Sequence, residues 1–248
     1  MEFIYSNYLV RLLNKNNKGE LIEVQKLRYD YLLREFNPAL PEEGIDDDGY
    51  DDKTDSILII DTNNNKIIGT YRLATLATAK ENPFKTEGEF NIDAIKNCGK
   101  EVVELGRAVV HKDYRNGVTI QLLWSAIFQY AIENNCKYLF GTCSFHGVDP
   151  TAYSKVFSYI KKEVISGLNV YAVHDSFEFG DEEYDKITIK EETPSLLKSY
   201  ISLGCKIGKN GFIDYEFNSC DVLIVVDLDD CNEKIVNRMM RFGRTNEK

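Results

Sequence analysis

Two charges stand inside an otherwise apolar, β-branched stretch, E-V-V-E-L-G-R-A-V-V at 101–110: Glu104 and Arg107. A carboxylate there can orient an amine or take its proton, and an arginine can hold an anion. Positions three apart on a regular strand point to opposite faces. Either one of the two charges faces solvent, or the strand carries a bulge. A structural salt bridge from Glu104 to Arg28, Arg72 or Arg107 is the plainer reading, and it stays open. A second group of charges is the acid run Asp46, Asp47, Asp48, Asp51, Asp52 and Asp55. It does not match a calcium loop, because the D-x-D-x-D-G pattern with a glutamate at the twelfth position is not met around Gly49. A solvated acidic loop is the alternative. A third feature is the turn Y-R-N-G-V-T at 114–119, where a substrate phosphate would be sought at a helix start. His111 ends the strand and invites a general-base role, or a structural one. The three histidines (His111, His146, His174) are scattered and make no metal site. Cys143 could act as a nucleophile in principle, but no histidine or basic residue adjoins it.

These residues need elements to place them. Residues 102–110 read as a strand. Ile120, Leu123, Trp124, Ile127, Phe128 and Ala131 give one apolar face of a helix. A short apolar strand at 138–143 follows, which completes a strand–helix–strand unit. Upstream, 8–13 reads as a strand and 20–36 as one helix, with Leu21, Val24, Leu27, Tyr31 and Leu32 as its apolar stripe and Arg28 beside it. The stretch 37–55 is a loop. Residues 56–61 and 66–74 form a hairpin around T-N-N-N. Downstream, Asp149 and Pro150 start a helix that runs to about residue 163. Residues 165–192 are weakly patterned and predict a short strand and a loop. Pro194 opens another helix, closed by Gly204. Strands are predicted at 205–207 and 212–216 around a K-N-G turn, and at 221–227, the last central in its sheet. A final helix from about Cys231 carries Arg238, Arg241 and Arg244.

With 248 residues and a hydrophobic fraction of 43%, the chain can bury a real core as a single domain over 1–248, the simplest expectation in the absence of repeats or a linker. A net charge of −10 argues against nucleic acid as a partner. No apolar run reaches the ~18–20 residues that span a membrane, although peripheral contact with lipid is compatible with the sequence. The six cysteines lack C-x-x-C spacing, and no signal peptide is evident, so a cytoplasmic location is expected.

Several blocks in order carry a resemblance over roughly 8–230: G-I-D-D-D-G-Y-D (44–51), G-T-Y-R-L (69–73), V-E-L-G-R-A-V-V-H-K-D-Y-R (103–115), L-L-W (122–124), L-F-G-T-C-S (139–144), L-L-K-S-Y-I-S-L-G (196–204) and D-Y-E-F-N-S-C-D-V (214–222). The chain resembles the ornithine lipid-type (hemolysin-like) Nα-acyltransferases of the GNAT superfamily. These are related to acyl-homoserine lactone synthases, whose shared charged positions correspond to Arg28, Asp48, Asp51, Arg72, Glu104 and Arg107.

The resemblance implies an α/β (α+β) GNAT fold, a mixed central sheet splayed between two strands with helices on both faces. It also implies an N-acyltransferase that moves a long-chain or 3-hydroxy fatty acyl group from an acyl carrier protein thioester to the amine of an amino acid or similar small amine, by direct attack in a ternary complex. No tightly bound cofactor is implied. Acyl carrier protein, or CoA, would bring the acyl group as co-substrate. Related GNAT proteins bulge the strand near Glu104 and Arg107 to aim a backbone N–H at the thioester carbonyl.

The resemblance makes Glu104 and Arg107 catalytic, with Tyr153 as a donor to the leaving thiolate. It makes Arg28, Asp48, Asp51, Arg72 and Ser144 substrate-binding, with the aspartates either pairing with arginines or holding the acceptor ammonium. Lys112, Arg115 and Gly117 would meet the donor's phosphopantetheine and carrier. Acetyl-CoA enzymes of this superfamily carry more glycine in that turn, and here only Gly117 follows Arg115. That favours the single phosphodiester of a carrier protein. Docking an acidic carrier also needs local basic surface, for which Lys112, Arg115 and the terminal arginines are candidates. Two alternatives remain: an acyl-homoserine lactone synthase, separable by product mass, and a catalytically silent acyl-binding protein, which would release no thiol.

Overall fold

The computed structural model describes residues 1–231 and 233–243. They fall into two compact units. The first comprises, among the described residues, 1–82, 103–136 and 233–243. Its strands Glu2–Tyr5, Tyr8–Leu12, Asp55–Asp61, Lys66–Thr75 and Glu101–Val110 pair antiparallel, each with the next. The sheet alternation decides which helix covers which face. Leu58 and Ile60 point to one face, where Leu13, Val24, Leu27, Ile67 and Val109 join them under the first helix. Gly69 and Tyr71 point to the other. There the helix Val118–Glu133 lies close, with Thr119 against Gly69 and Trp124 with its ring centroid 6.3 Å from that of Tyr71. The helix Glu233–Gly243 packs along Val118–Glu133, and its Phe242 meets Tyr5 edge-on at 4.9 Å.

The second unit comprises 83–102 and 137–232. The strand Ser219–Asp227 lies between Cys136–His146 and Lys206–Asp214, antiparallel to both, so it is central as its V-L-I-V-V run predicts. Ser176–Phe177 pairs with the outer side of Lys206–Asp214. A two-residue ladder joins Phe90–Asn91 to Tyr171–Ala172. The helix Ser195–Leu203 ends at Gly204 with φ +88°, the left-handed cap that the glycine predicts.

The sequence expectations need correction at several elements. The helix predicted over 20–36 runs over 18–36, but between its α-helical parts Lys18–Arg28 and Arg34–Phe36 it widens to a π-turn, Tyr29–Leu33, in which the Arg34 N–H donates to the Tyr29 carbonyl five residues back. The strand expected at 138–143 is 11 residues long, because ladder hydrogen bonds to Ser219–Asp227 extend past its apolar centre. Residues 205–207 and 212–216 are not two strands around a turn. They belong to one strand, Lys206–Asp214, bulged between Ile207 and Gly211. A helix, Lys186–Glu192, stands where a loop was expected; the Asp185 carboxylate caps it by accepting the N–H groups of Ile187 (2.9 Å) and Thr188 (3.0 Å). The opening strand Glu2–Tyr5 was also not foreseen. Among the described residues, no helix is long and apolar enough to cross a membrane.

Candidate active site

The first unit gathers charges that lie far apart in the chain. The strand pair Lys66–Thr75 and Glu101–Val110 sets the floor. Its register places Ala74 opposite Glu104 and Arg72 opposite Gly106, so Glu104, Gly106 and Arg72 share one face. Between Thr70 and Arg72 the register shifts: Thr70 faces Val109, and Arg107 and Ala108 together oppose Tyr71. This two-against-one count is a β-bulge. Arg107 sits in it at φ +53°, a left-handed conformation that costs a non-glycine residue of order 1–2 kcal/mol. The bulge answers the parity question. It lets Arg107, three positions on from Glu104, reach Asp48 together with Arg72, which shares the face of Glu104.

The loop 37–54 supplies the opposite charges, held against the first helix. Tyr29 lies flat on Gly44, where a β-carbon would come within 2.3 Å of the ring, and its hydroxyl donates to the Pro41 carbonyl at 3.0 Å. Arg28, the last residue before the π-turn, is completely buried. Its Nη1 donates to Asp51 Oδ1 (2.7 Å), and its Nη2 to Asp51 Oδ2 (2.5 Å) and to the Asp46 carbonyl (2.9 Å). Its Nε lies 3.0 Å from Asp46 Oδ2. The same Asp46 oxygen accepts from Arg107 Nε at 2.8 Å. Arg107 Nη2 donates to Asp48 Oδ2 (3.3 Å), and Arg72 forks onto both Asp48 oxygens at 2.7 and 2.9 Å. Arg72 Nη1 lies 3.8 Å from Asp51 Oδ1, which closes the circuit. Arginine and aspartate thus alternate around a ring: Arg28, Asp46, Arg107, Asp48, Arg72, Asp51.

Burial alone would raise the Asp51 carboxyl, but the hydrogen bonds and charge of Arg28, with Gln25 and Arg72, hold it below the usual carboxylate range. Burial likewise works against the Arg72 charge, and Asp48 with its neighbours outweighs it and raises the pKa. A carboxylate held so firmly ionised is a poor proton acceptor. Of the two roles open to Asp48 and Asp51, the geometry supports anchoring the loop. Glu104 is 6% exposed on the same face, and nothing lies within 4 Å of where a β-carbon on Gly106 would be. The face that Glu104 shares with Gly106 therefore has open space at Gly106. Asp46 is the member that sequence reasoning did not single out, since nothing in the run D-D-D marks which carboxylates turn inward. Asp47 and Asp52 are exposed.

The strain at Arg107 has a measurable consequence. Arg107→Gly and Arg107→Ala both lose two ion pairs, but only glycine relaxes the backbone. The glycine variant is expected to be more stable than the alanine variant by ~1 kcal/mol in denaturant melts. Equal stabilities would show that the bulge is unstrained.

Three residues expected at the donor site lie at the start of the helix Val118–Glu133. Gly117 is its N-cap at φ +87°, the conformation that favours glycine there. Asn116 Oδ1 accepts the Val118 N–H at 3.0 Å. Arg115 is tied down: its Nε donates to the Val110 carbonyl (3.0 Å) and its Nη2 to Glu35 (2.5 Å). Lys112 is exposed. Arg241 lies exposed on the helix Glu233–Gly243, which also contains Arg238; Arg244 lies outside the described residues.

His111 is buried, with Nε2 2.9 Å from the Tyr31 hydroxyl and 2.8 Å from Lys66 Nζ. Burial, and then the Lys66 charge, lower its pKa, so it stays neutral in a structural setting.

Tyr153 and Ser144 belong to the second unit. The Tyr153 hydroxyl donates to the His146 carbonyl at 3.1 Å, and burial raises its pKa. Ser144 lies opposite Asp221 across the strand pair and hydrogen-bonds its carboxyl. Burial pushes Asp221 up to about 6 against the pull of the Ser219 and Ser144 hydroxyls. Burial also raises the Cys143 thiol well above its ordinary pKa, which disfavours the thiolate a covalent mechanism would need.

Residues 27–125 match the acetyltransferase (GNAT) domain family. The chain is 30% identical over 228 residues to an L-ornithine N(alpha)-acyltransferase of Agrobacterium fabrum, covering 85% of this chain and 78% of that one. It is 28% identical over 242 residues to the protein of that name in Rhodobacter capsulatus, covering 92% and 93%. Among solved structures, the CoA-dependent acyl-homoserine lactone synthase BjaI with MTA is similar in fold, with a TM-score of 0.55 at 12% identity over 95% of this chain and 90% of that one. The bulged strand and the charged ring thus lie in an N-acyltransferase of GNAT-type α/β fold, and the chain belongs to the family of the L-ornithine Nα-acyltransferases.

Proposed function

We propose that the protein transfers a long-chain or 3-hydroxy fatty acyl group from an acyl carrier protein thioester to the α-amine of an amino acid, ornithine first among candidates. The observation that carries this reading is the buried Glu104 beside the open face at Gly106, next to the bulge at Arg107. An amino-acid amine is mostly ammonium at neutral pH and must lose a proton before it attacks. Glu104 takes that proton, directly or through water. The amine nitrogen then bonds to the thioester carbonyl carbon, and the C–S bond breaks to release the pantetheine thiol. A backbone N–H at the bulge holds the developing oxyanion, and two bound substrates in register supply much of the rate. The ring of arginines and aspartates keeps the loop 37–54 and the bulge in place around that chemistry. Tyr153 is a candidate donor to the leaving thiolate, and Ser144 a candidate contact for the acceptor.

The names of the relatives support ornithine as the acceptor. The turn at 115–119 supports a carrier-protein donor, since a lone glycine and a committed Arg115 suit one phosphodiester better than a pyrophosphate. Lys112 is free of the constraint on Arg115 and exposed to meet the carrier. Six unbridged cysteines suit a reducing cytoplasm, where such an enzyme would feed lipid biosynthesis.

The test is a matrix of acyl carrier and acyl-CoA thioesters against a panel of amino acids and S-adenosylmethionine, read by thiol release and product mass. N-acyl-ornithine from the carrier thioester, at a kcat/KM ~10-fold or more above acyl-CoA, is the expected result. Homoserine lactone products, or no thiol release with any pair, would overturn the reading.

A further inference from the structure

The second unit holds a polar cluster that adjoins Ser144. Asp214 ends the strand Lys206–Asp214, and Asp221 lies in Ser219–Asp227. The register pairs Asp214 with Ser219 and Phe212 with Asp221, so Asp214, Ser219 and Asp221 project from one face of the hairpin. Glu89 reaches the same place from the segment between the turn Lys85–Gly88 and Phe90–Asn91. One carboxylate oxygen from each of Glu89, Asp214 and Asp221 lies within 4.8 Å of the others.

Two further observations separate this cluster from a solvated acidic patch. Asp221 is 2% exposed and Ser219 is fully buried. The Ser144 and Ser219 hydroxyls pull on the Asp221 carboxyl, yet Asp221 Oδ1 has no hydrogen-bond partner of good geometry. A buried carboxylate oxygen left in that state is costly, and cores rarely tolerate it without a ligand. Asp214, in turn, is fixed in place, since its Oδ1 accepts the N–H groups of Glu216 and Phe217, both at 2.8 Å.

The geometry points to a binding site for a hard divalent cation, ligated by Glu89, Asp214 and Asp221. Calcium, which takes about six to eight oxygen ligands in flexible geometry, suits such a carboxylate cluster better than magnesium, which demands near-ideal octahedral geometry and keeps several waters. Such an ion would neutralise the three carboxylates, give the orphaned Asp221 oxygen a partner, and bring the Ser219 hydroxyl within reach as a further ligand. It would also tie the segment at Glu89 to the hairpin 206–227. Ser144, the candidate acceptor contact, bonds Asp221, but the cation reading does not require that role of Ser144 and is tested without it.

The test is melting of the full chain, stripped with chelator at pH 8, against increasing calcium chloride, alongside isothermal titration. Saturable binding with a rise in Tm of about 5 °C is expected at saturation. Magnesium should act more weakly. Asp221→Asn and Glu89→Gln should each abolish the response. Glu89 is only half-buried, so the second variant keeps the test alive if the first does not fold. Wild-type protein that neither binds nor is stabilised by any divalent cation would overturn the proposal. So would stabilisation by L-ornithine acting through these residues, with calcium silent, because that would assign the cluster to an organic ammonium.

Discussion

Arg28→Ala is expected to destabilise the protein by ~3–5 kcal/mol, the largest single loss foreseen here. The reason is the company Arg28 keeps more than the strength of its ion pairs. Two charged groups brought out of water recover little net energy from each other, so the pair itself adds only modestly to stability. Removing one member is different, because the other stays buried with its charge. Arg28 is 0% exposed, and its loss would leave the buried Asp51 with Gln25 and the more distant Arg72 (3.8 Å), and the buried Asp46 with Arg107. For a chain of this size such a loss lowers Tm by roughly 10–15 °C. Asp51→Asn should cost less, since the amide keeps a carbonyl acceptor, and the double variant should be less destabilised than the sum of its parts. Additive losses would show that Arg28 and Asp51 do not act as a unit.

Acid titration gives an independent reading of the same pair. The Asp51 pKa is lowered in the folded state, so the unfolded chain binds the proton more readily. Its contribution is present above the ordinary carboxylate value of about 4 and is lost as pH falls through the lowered value. The fall of Tm below pH ~4 should therefore be shallower in Asp51→Asn than in the wild type.

The second large effect concerns rate. Glu104→Gln keeps the size and polarity of the side chain and removes its capacity to take a proton. If Glu104 accepts the proton of the acceptor ammonium, kcat should fall ~10²–10⁴-fold. Part of the loss should return at high pH, where the amine is deprotonated without help. Tm should fall less than in Arg28→Ala, because the amide keeps the size of the side chain and a carbonyl acceptor. Wild-type turnover would remove Glu104 from the reaction. A lost rate with a collapsed Tm would assign it a structural place in the cluster instead. The pair of experiments thus separates holding the site from running it.

Much of this site was legible in the sequence because charge inside an apolar strand is conspicuous. Glu104 and Arg107 stood out in a β-branched run, and period-2 alternation alone showed that a bulge was needed for both to serve one face. The positive φ at Arg107 and the register shift at Tyr71 are that bulge. Helix periodicity likewise placed Arg28 beside an apolar stripe, and Gly204 marked a helix end. Elements whose signal is local and periodic were readable, since each rests on neighbours three or four residues away or on the alternation of a strand. The Lys186–Glu192 helix and the unbroken Lys206–Asp214 strand were not. The first depends on an Asp185 cap in a polar stretch, and the second on ladder partners far along the chain.

By itself, the sequence determined the residue types of the site, the fold family and the class of reaction. It left Asp48 and Asp51 between two roles, and gave Asp46 no distinction from Asp47. Only the tertiary structure decided which carboxylates turn inward, because that depends on how the loop 37–54 closes over Arg28, Arg72 and Arg107. Ion pairs between residues some 20 to 60 positions apart leave no periodic trace in a chain; they exist only once the bulge, the π-turn and the loop have brought the charges within about 3 Å.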